Sequence, residues 1–284
     1  MTSIAFIGAG RLGATLALAL AQRGRAVTAV ASRSRASAQR VAAAIPGCRA
    51  VDAAEAATAD LVFLTVPDDE IGPLASRLAW RSGQSVVHCS GATEVAVLEP
   101  AARRGALIGG FHPLQIFADP AQAIELLAGS SVAIEGPPAL EAQLRTIAER
   151  LGMRALMLPP GARALYHGGA SFAASFLLSM LQEAVDAWRC FGVDEAQALQ
   201  ALLPLAHGTL AAAGRKGLAG ALAGPVSRGD VGVLQRHLQA FESLGAEHAA
   251  FYRELTARQL RLARASGRLG EAQLAALQTL VERR

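Results

Sequence analysis

Read for apolar and polar positions alone, the chain divides into two parts with different periods. Residues 3–7 form a short apolar run, and after Ile7 the spacing changes at once to Leu12, Leu16, Ala19, Leu20 and Arg23, that of a helix with one buried face. Further apolar runs at 26–31, 61–66, 85–89, 106–111, 130–135 and 154–158 predict strands, with a brief one near 49–51. Between them 37–44, 53–58 and 138–151 predict helices, and Pro46-Gly47 stops the first of these. The run 61–66 is apolar throughout, as expected of a central parallel strand buried on both faces. After Pro159-Pro160-Gly161 only helical spacing remains. The pattern predicts an α/β fold: a doubly wound, mostly parallel sheet over 1–160 and an all-α domain over 161–284.

The turn between the first strand and first helix carries Gly8-Ala9-Gly10-Arg11-Leu12-Gly13. Gly8 makes the tight turn, Gly10 lets backbone approach a pyrophosphate, and Gly13 lets helix and strand pack closely. The helix N-terminus adds unpaired N–H groups and a positive dipole end. Placed between strand and helix, with a second strand about twenty residues on, the motif predicts a Rossmann-type dinucleotide site. The second strand ends in Ala31-Ser32-Arg33-Ser34-Arg35, without the acidic residue that would bond the ribose hydroxyls of NAD. The expected cofactor is therefore NADP, with Arg33 on the adenine or the 2′-phosphate and Ser32 and Ser34 donating hydrogen bonds.

Later strand ends supply further candidates, because ligands of open α/β sheets sit beyond the carboxyl ends of the strands. Val66 and Pro67 are expected beside the nicotinamide ribose, and Ser90 and Gly91 offer small residues where the ring approaches backbone. Asp68 or Asp69 reads either as part of that rim or as the N-cap of the following helix. His88 reads as structural, and His112 is placed for substrate contact.

Composition narrows the class. With 284 residues and 52% hydrophobic positions, the chain is long enough for two domains with substantial cores. The formal charge of +4 comes from scattered arginines, with Lys216 the single lysine, and no basic run or interleaved aromatics suggest nucleic acid. Cys48, Cys89 and Cys190 match neither a disulfide framework nor a metal spacing, so no metal is expected. An N-terminal strand in place of a signal peptide fits a cytoplasmic protein. Residues 164–182 lack Asp, Glu, Lys and Arg, yet their glycines, serines and His167 favour a buried central helix over a membrane span. Burial of Phe172, Phe176, Leu177 and Met180 between two subunits predicts a homodimer through the helical domain.

The order of motifs resembles bacterial Rossmann-like proteins with a C-terminal helical domain of unknown function. These are related to the ketopantoate, pyrroline-carboxylate and 6-phosphogluconate reductase or dehydrogenase groups. The resemblance rests on the glycine turn, Val66-Pro67-Asp68, His88-Cys89-Ser90-Gly91, Phe111-His112-Pro113-Leu114-Gln115, Tyr166-His167 and Gly224-Pro225-Val226-Ser227-Arg228-Gly229-Asp230. It implies an NADP-dependent oxidoreductase reducing a small 2-oxo or imino acid, ketopantoate being the most concrete substrate. Ser175 stands where relatives carry asparagine, and no lysine stands near Tyr166 to match the 6-phosphogluconate branch.

For such chemistry the protein must orient the partners and supply a proton. His167, Ser171 and Ser175, spaced by four, are expected on one helix face. His167 is the first choice of donor and His112 the second, because imidazole titrates near neutrality. Arg228 reads as a bidentate grip on a substrate carboxylate or as a loop ion pair, Asp230 as an N-cap, and Lys216 as part of a mobile loop. Two other classes stay open: a non-catalytic NADP-binding redox sensor, and an NADP–deazaflavin oxidoreductase.

Overall fold

A computed structural model describes residues 2–117 and 119–282. The chain divides into two compact units, 1–172 and 173–284. The expected division at 160/161 differs from this one by the helix Arg163–Ser171, which the first unit takes in.

The first unit is built on one eight-stranded sheet. Its strands are β1 (Ile4–Ile7), β2 (Val27–Ala31), β3 (Arg49–Ala50), β4 (Leu61–Leu64), β5 (Ser85–His88), β6 (Leu107–Leu114), β7 (Ser131–Glu135) and β8 (Arg154–Met157). They lie in the order β3-β2-β1-β4-β5-β6-β7-β8, parallel except where β7 runs antiparallel to β6. Chain direction across the sheet reverses between β1 and β4, the crevice where doubly wound folds bind ligands.

Strand alternation feeds two cores. Ile4 and Phe6 pack with Leu61, Phe63 and Phe111 on one face, while Ala5 and Ile7 pack with Val62, Leu64 and Val86 on the other. Phe6 stacks on Phe63 with ring centroids 5.0 Å apart. This double burial explains the unbroken apolar runs of β1 and β4. One strand is longer than periodicity indicates: β6 continues to Leu114 because β7 pairs with it through Phe111 on Ile134 and His112 on Ala133. His112 therefore belongs to a strand, not to the turn after it.

The second unit is helical over Ser175–Arg189, Glu195–Ala221, Pro225–Arg228, Val231–Leu244, Ala246–Ser266 and Glu271–Glu282. Val226, Leu234, Leu238, Leu260 and Leu277 form its main core, with a smaller cluster at Val185, Ala198 and Leu202. Asp230 caps its helix as expected, accepting from the Val233 N–H at 3.0 Å.

Three sequence expectations change here. Residues 163–189 pass a length and composition test for a membrane span, but they form two helices, Arg163–Ser171 and Ser175–Arg189, parted where Ala174 leaves helical geometry at φ −122° and ψ −94°. Ser175 thus does not share a helix face with His167 and Ser171. Nor is this stretch buried within the chain: Leu165, Phe172, Phe176 and Leu178 are exposed. Lys216 sits in a helix kinked at Gly217 (φ +69°), not in a loop.

Candidate active site

The glycine turn supplies a cradle for an anionic ligand. Gly8 sits at φ +117°, and a Cβ there would enter the Thr65 carbonyl. A Cβ on Gly13 would enter the Gly8 carbonyl, so close packing of helix on turn is what this position requires. The helix Arg11–Gln22 begins at Gly10 with no side-chain cap and no acidic residue in its first turn. Its first N–H groups and positive dipole end are free for a phosphate.

Two cavities of the first unit meet at this turn. The larger, about 540 Å³, is lined by Gly8, Ala9, Gly10, Ser32, Arg33, Ser34, Val66 and Pro67, together with Asp52, Glu70 and Arg77. The second, about 430 Å³, is lined by Gly10, Arg11, Leu12, Val66, Pro67, Asp68, Ser90, Gly91, His112 and His167. Gly10, Thr65, Val66 and Pro67 belong to both walls. Of the expected cofactor residues only Gly13 lines neither, since it packs beneath the turn.

At the far end of the first cavity Arg33 is exposed, and its only ion partner among the described residues is Glu70 at 3.9 Å. Such a contact is worth little in water and leaves the guanidinium available. Ser34 caps the helix Arg35–Ala43 by accepting from the Ser37 N–H at 3.3 Å. Arg77 adds a second cation that sequence reading did not single out. These residues fit a phosphorylated dinucleotide: the chemistry of the lining runs from basic to an uncapped helix terminus to a polar cluster.

That polar cluster is organised by Ser90, all of whose polar groups are engaged. Its hydroxyl donates to Asp68 at 2.7 Å and accepts from the Ala92 and Thr93 N–H groups, and its N–H donates to His88 Nδ1 at 3.2 Å. Asp68 therefore holds Ser90, and neither it nor Asp69 stands at the N-cap, which is Pro67. His88 is structural as expected: burial, then the charge of Arg163, pushes its pKa down to about 3. With Nδ1 accepting, Nε2 carries the proton of the neutral ring and has no partner among the described residues.

Above Gly91 stand His112 and His167, their ring centroids 5.8 Å apart. A Cβ on Gly91 would enter the His167 ring and press on His112. His112 Nδ1 lies 3.0 Å from the Tyr166 hydroxyl. Burial, then the neighbouring His167 and Arg163, pushes the His112 pKa down to about 4, and burial raises that of Tyr166. At neutral pH the pair is thus a neutral imidazole and a protonated phenol. The expectation that His112 titrates near neutrality is corrected on this ground: a charged ring would lose its solvation in a half-buried site facing a cation.

Beneath the cluster lies the fully buried Arg163, whose Nε donates to Glu135 at 2.6 Å and whose Nη1 donates to the Ser90 carbonyl at 2.8 Å. Glu94 accepts from the backbone N–H of Gly161 and Arg163 and so anchors the helix that bears Tyr166 and His167. Sequence reading missed Arg163, Glu135 and Glu94. The one available signal was that Arg163 is the charge that borders the start of the charge-free stretch 164–182.

Ser175 and Arg228 line neither cavity and are exposed in the second unit. Arg228 ends the short helix Pro225–Arg228, and no ion pair holds it among the described residues.

Comparison with known proteins assigns both parts of the chain. Residues 1–113 match the Rossmann-like domain family, and residues 130–259 match a domain of unknown function, DUF2520. No curated protein sequence matches significantly. Among solved structures, protein TM1727 from Thermotoga maritima superposes with a TM-score of 0.77 at 22% identity, over 93% of this chain and 100% of that one. A Bacteroides fragilis protein, BF3122, described as a candidate NADP oxidoreductase, gives 0.71 at 24% identity over 94% and 98%. A reductive aminase from Aspergillus terreus, solved with NADPH and ethyl-5-oxohexanoate, gives 0.67 at 18% over 96% and 98%. At these identities the likeness is one of fold.

Proposed function

We propose that this chain, a Rossmann-like domain joined to a DUF2520 domain, is an NADP-dependent oxidoreductase that reduces a carbonyl or imine carbon of a small organic acid. One observation carries the reading: two cavities share the wall of Gly10, Thr65, Val66 and Pro67, with Arg33 lining one and His112, whose Nδ1 lies 3.0 Å from the Tyr166 hydroxyl, lining the other. The solved relatives with NADPH in their descriptions lend the same direction.

The dinucleotide would be held by the Gly8–Gly13 turn, with Ser32, Arg33 and Ser34 around the adenosine 2′-phosphate and Val66, Pro67, Ser90 and Gly91 around the nicotinamide. Bound there, it supplies a hydride. The chain's own task is to place the acceptor carbon and to deliver one proton to the heteroatom. We assign that proton to the Tyr166 hydroxyl. In the tautomer with the proton on Nδ1, His112 donates to the phenol oxygen and stabilises the phenolate left behind. His167, exposed beside them, connects the pair to solvent. Arg11, which lines the same cavity, offers the guanidinium for a substrate carboxylate, a role that sequence reading gave to Arg228. The exposed apolar residues over 165–180 support a homodimer.

The test is NADPH oxidation against a panel of 2-oxo acids, ketones and cyclic imines. Turnover of at least one class, lost in Tyr166→Phe, is expected. Tight NADPH binding with no turnover across the panel would favour the sensor reading instead.

A further inference from the structure

We propose that Arg163 is the positioning residue of the reduction site, tying the Ser90–Gly91 loop and the helix that bears Tyr166 to the β6–β7 pair in one register. The inference rests on the reductase reading for the word reduction. Its geometry does not.

Arg163 has no exposed surface, and each of its attachments lies on a different element. Glu135, accepting at 2.6 Å, ends β7. The Ser90 carbonyl, accepting at 2.8 Å, follows β5 and lines the cavity with His112 and His167. Its own backbone N–H is held by Glu94 at 3.2 Å. Room for the guanidinium comes from Gly110 on β6, the register partner of Glu135: a Cβ at Gly110 would enter Nη2. Tyr166 and His167 lie three and four residues further along the same helix, on the turn above.

A buried ion pair gains little over apolar side chains of the same volume, because both charges lose their hydration. Stability alone therefore gives a weak reason for this one. Its placement gives a stronger one. Arg163 joins the Ser90–Gly91 loop of the cavity wall to the helix that carries the proposed proton donor, and it presents positive charge to His112. The groups facing His112 are Tyr166 and His167 from the helix, Arg163 below, and Asp68 behind Ser90. Among them His167 and Arg163 oppose protonation of His112, and Asp68 favours it.

Two variants separate positioning from a merely structural role. Arg163→Met/Glu135→Gln removes both charges together and leaves no buried ion unpaired. Gly110→Ala keeps every charge and displaces only the guanidinium. Each is examined as the full chain, by calorimetry with NADPH and by NMR of the His112 ring in labelled protein. NADPH affinity is expected to fall far less than kcat for both, since the glycine turn and Arg33 touch none of these groups and only the Ser90–Gly91 loop does. The His112 Nδ1 resonance is expected to move toward that of an imidazole without a phenol partner in both. Its titration midpoint is expected to rise in the double variant, because one of the two neighbours that oppose its protonation is gone. On a substrate turned over by wild type, kcat should fall about 100-fold, the scale expected of a 1 Å misplacement, with KM changed far less.

An unmoved His112 resonance and a kcat within threefold of wild type in a folded variant would overturn the proposal. If the double variant does not fold, Gly110→Ala decides alone. If wild type turns over nothing, the reductase reading fails while the His112 resonances still decide whether Arg163 positions this cluster.

Discussion

The two ends of the cleft are built in opposite ways. The phosphate end is made of consecutive residues, Gly8 to Gly13, and works through backbone N–H groups that any fold with this turn presents. The other end is assembled from side chains far apart in sequence: Arg163 reaches Glu135 across 28 positions and Ser90 across 73, and Tyr166 reaches His112 across 54. A local device tolerates change everywhere except at its glycines. An assembled one depends on every contact that fixes its register, and it can acquire properties, such as a neutral histidine beside a cation, that no short segment has.

The largest effect should come from breaking the local device. Gly13→Val places a branched side chain against the Gly8 carbonyl and is expected to weaken NADPH binding more than about 100-fold by calorimetry. Retained affinity would mean that the turn does not hold the dinucleotide. Next comes the assembled end: Tyr166→Phe removes the proposed proton donor and should lower kcat about 100-fold with NADPH affinity nearly unchanged. A variant with full activity would move the proton elsewhere, His167 first.

Arg33→Asp sharpens the comparison within the phosphate end. It should weaken NADPH by about 10- to 100-fold, roughly 1.4–2.7 kcal/mol, while NADH binds as well or better. Equal loss of both cofactors would show that Arg33 does not discriminate.

The smallest expected effect concerns stability. His88 and His112, held near 3 and 4, titrate below the ordinary value of 6.5. The unfolded chain therefore binds more protons than the folded one between those limits, so stability rises with pH across the window and is lost as pH falls from about 6.5 toward 3. Urea midpoints compared at pH 7 and pH 4.5 should show this loss, and His88→Asn should reduce it. An identical pH slope in that variant would remove His88 from the effect.

The same contrast explains what could be read from sequence. The strands, the mostly parallel sheet and the glycine turn were legible because each is encoded in short runs with their own period or their own steric requirement: β1 and β4 are continuous apolar runs, and Gly8 and Gly13 stand where no side chain fits. His112 and His167 were found as strand-end and helix residues, but not the electrostatic state of His112. Burial beside His167 and Arg163 sets that, and Arg163 is brought there by long-range contacts. Helical periodicity carried the reading straight through residues 172–174, so Ser175 was placed on a helix face it does not share with His167. Spacing by four says nothing about backbone geometry at Ala174.

The central claim is that both cavities form one nucleotide site selective for the 2′-phosphate. Calorimetric titration of wild-type protein with NADPH and with NADH tests it most directly. One site per chain, with NADPH bound at least tenfold tighter than NADH, is the predicted result. Absence of binding by either at millimolar concentration, or tighter binding of NADH, would contradict it.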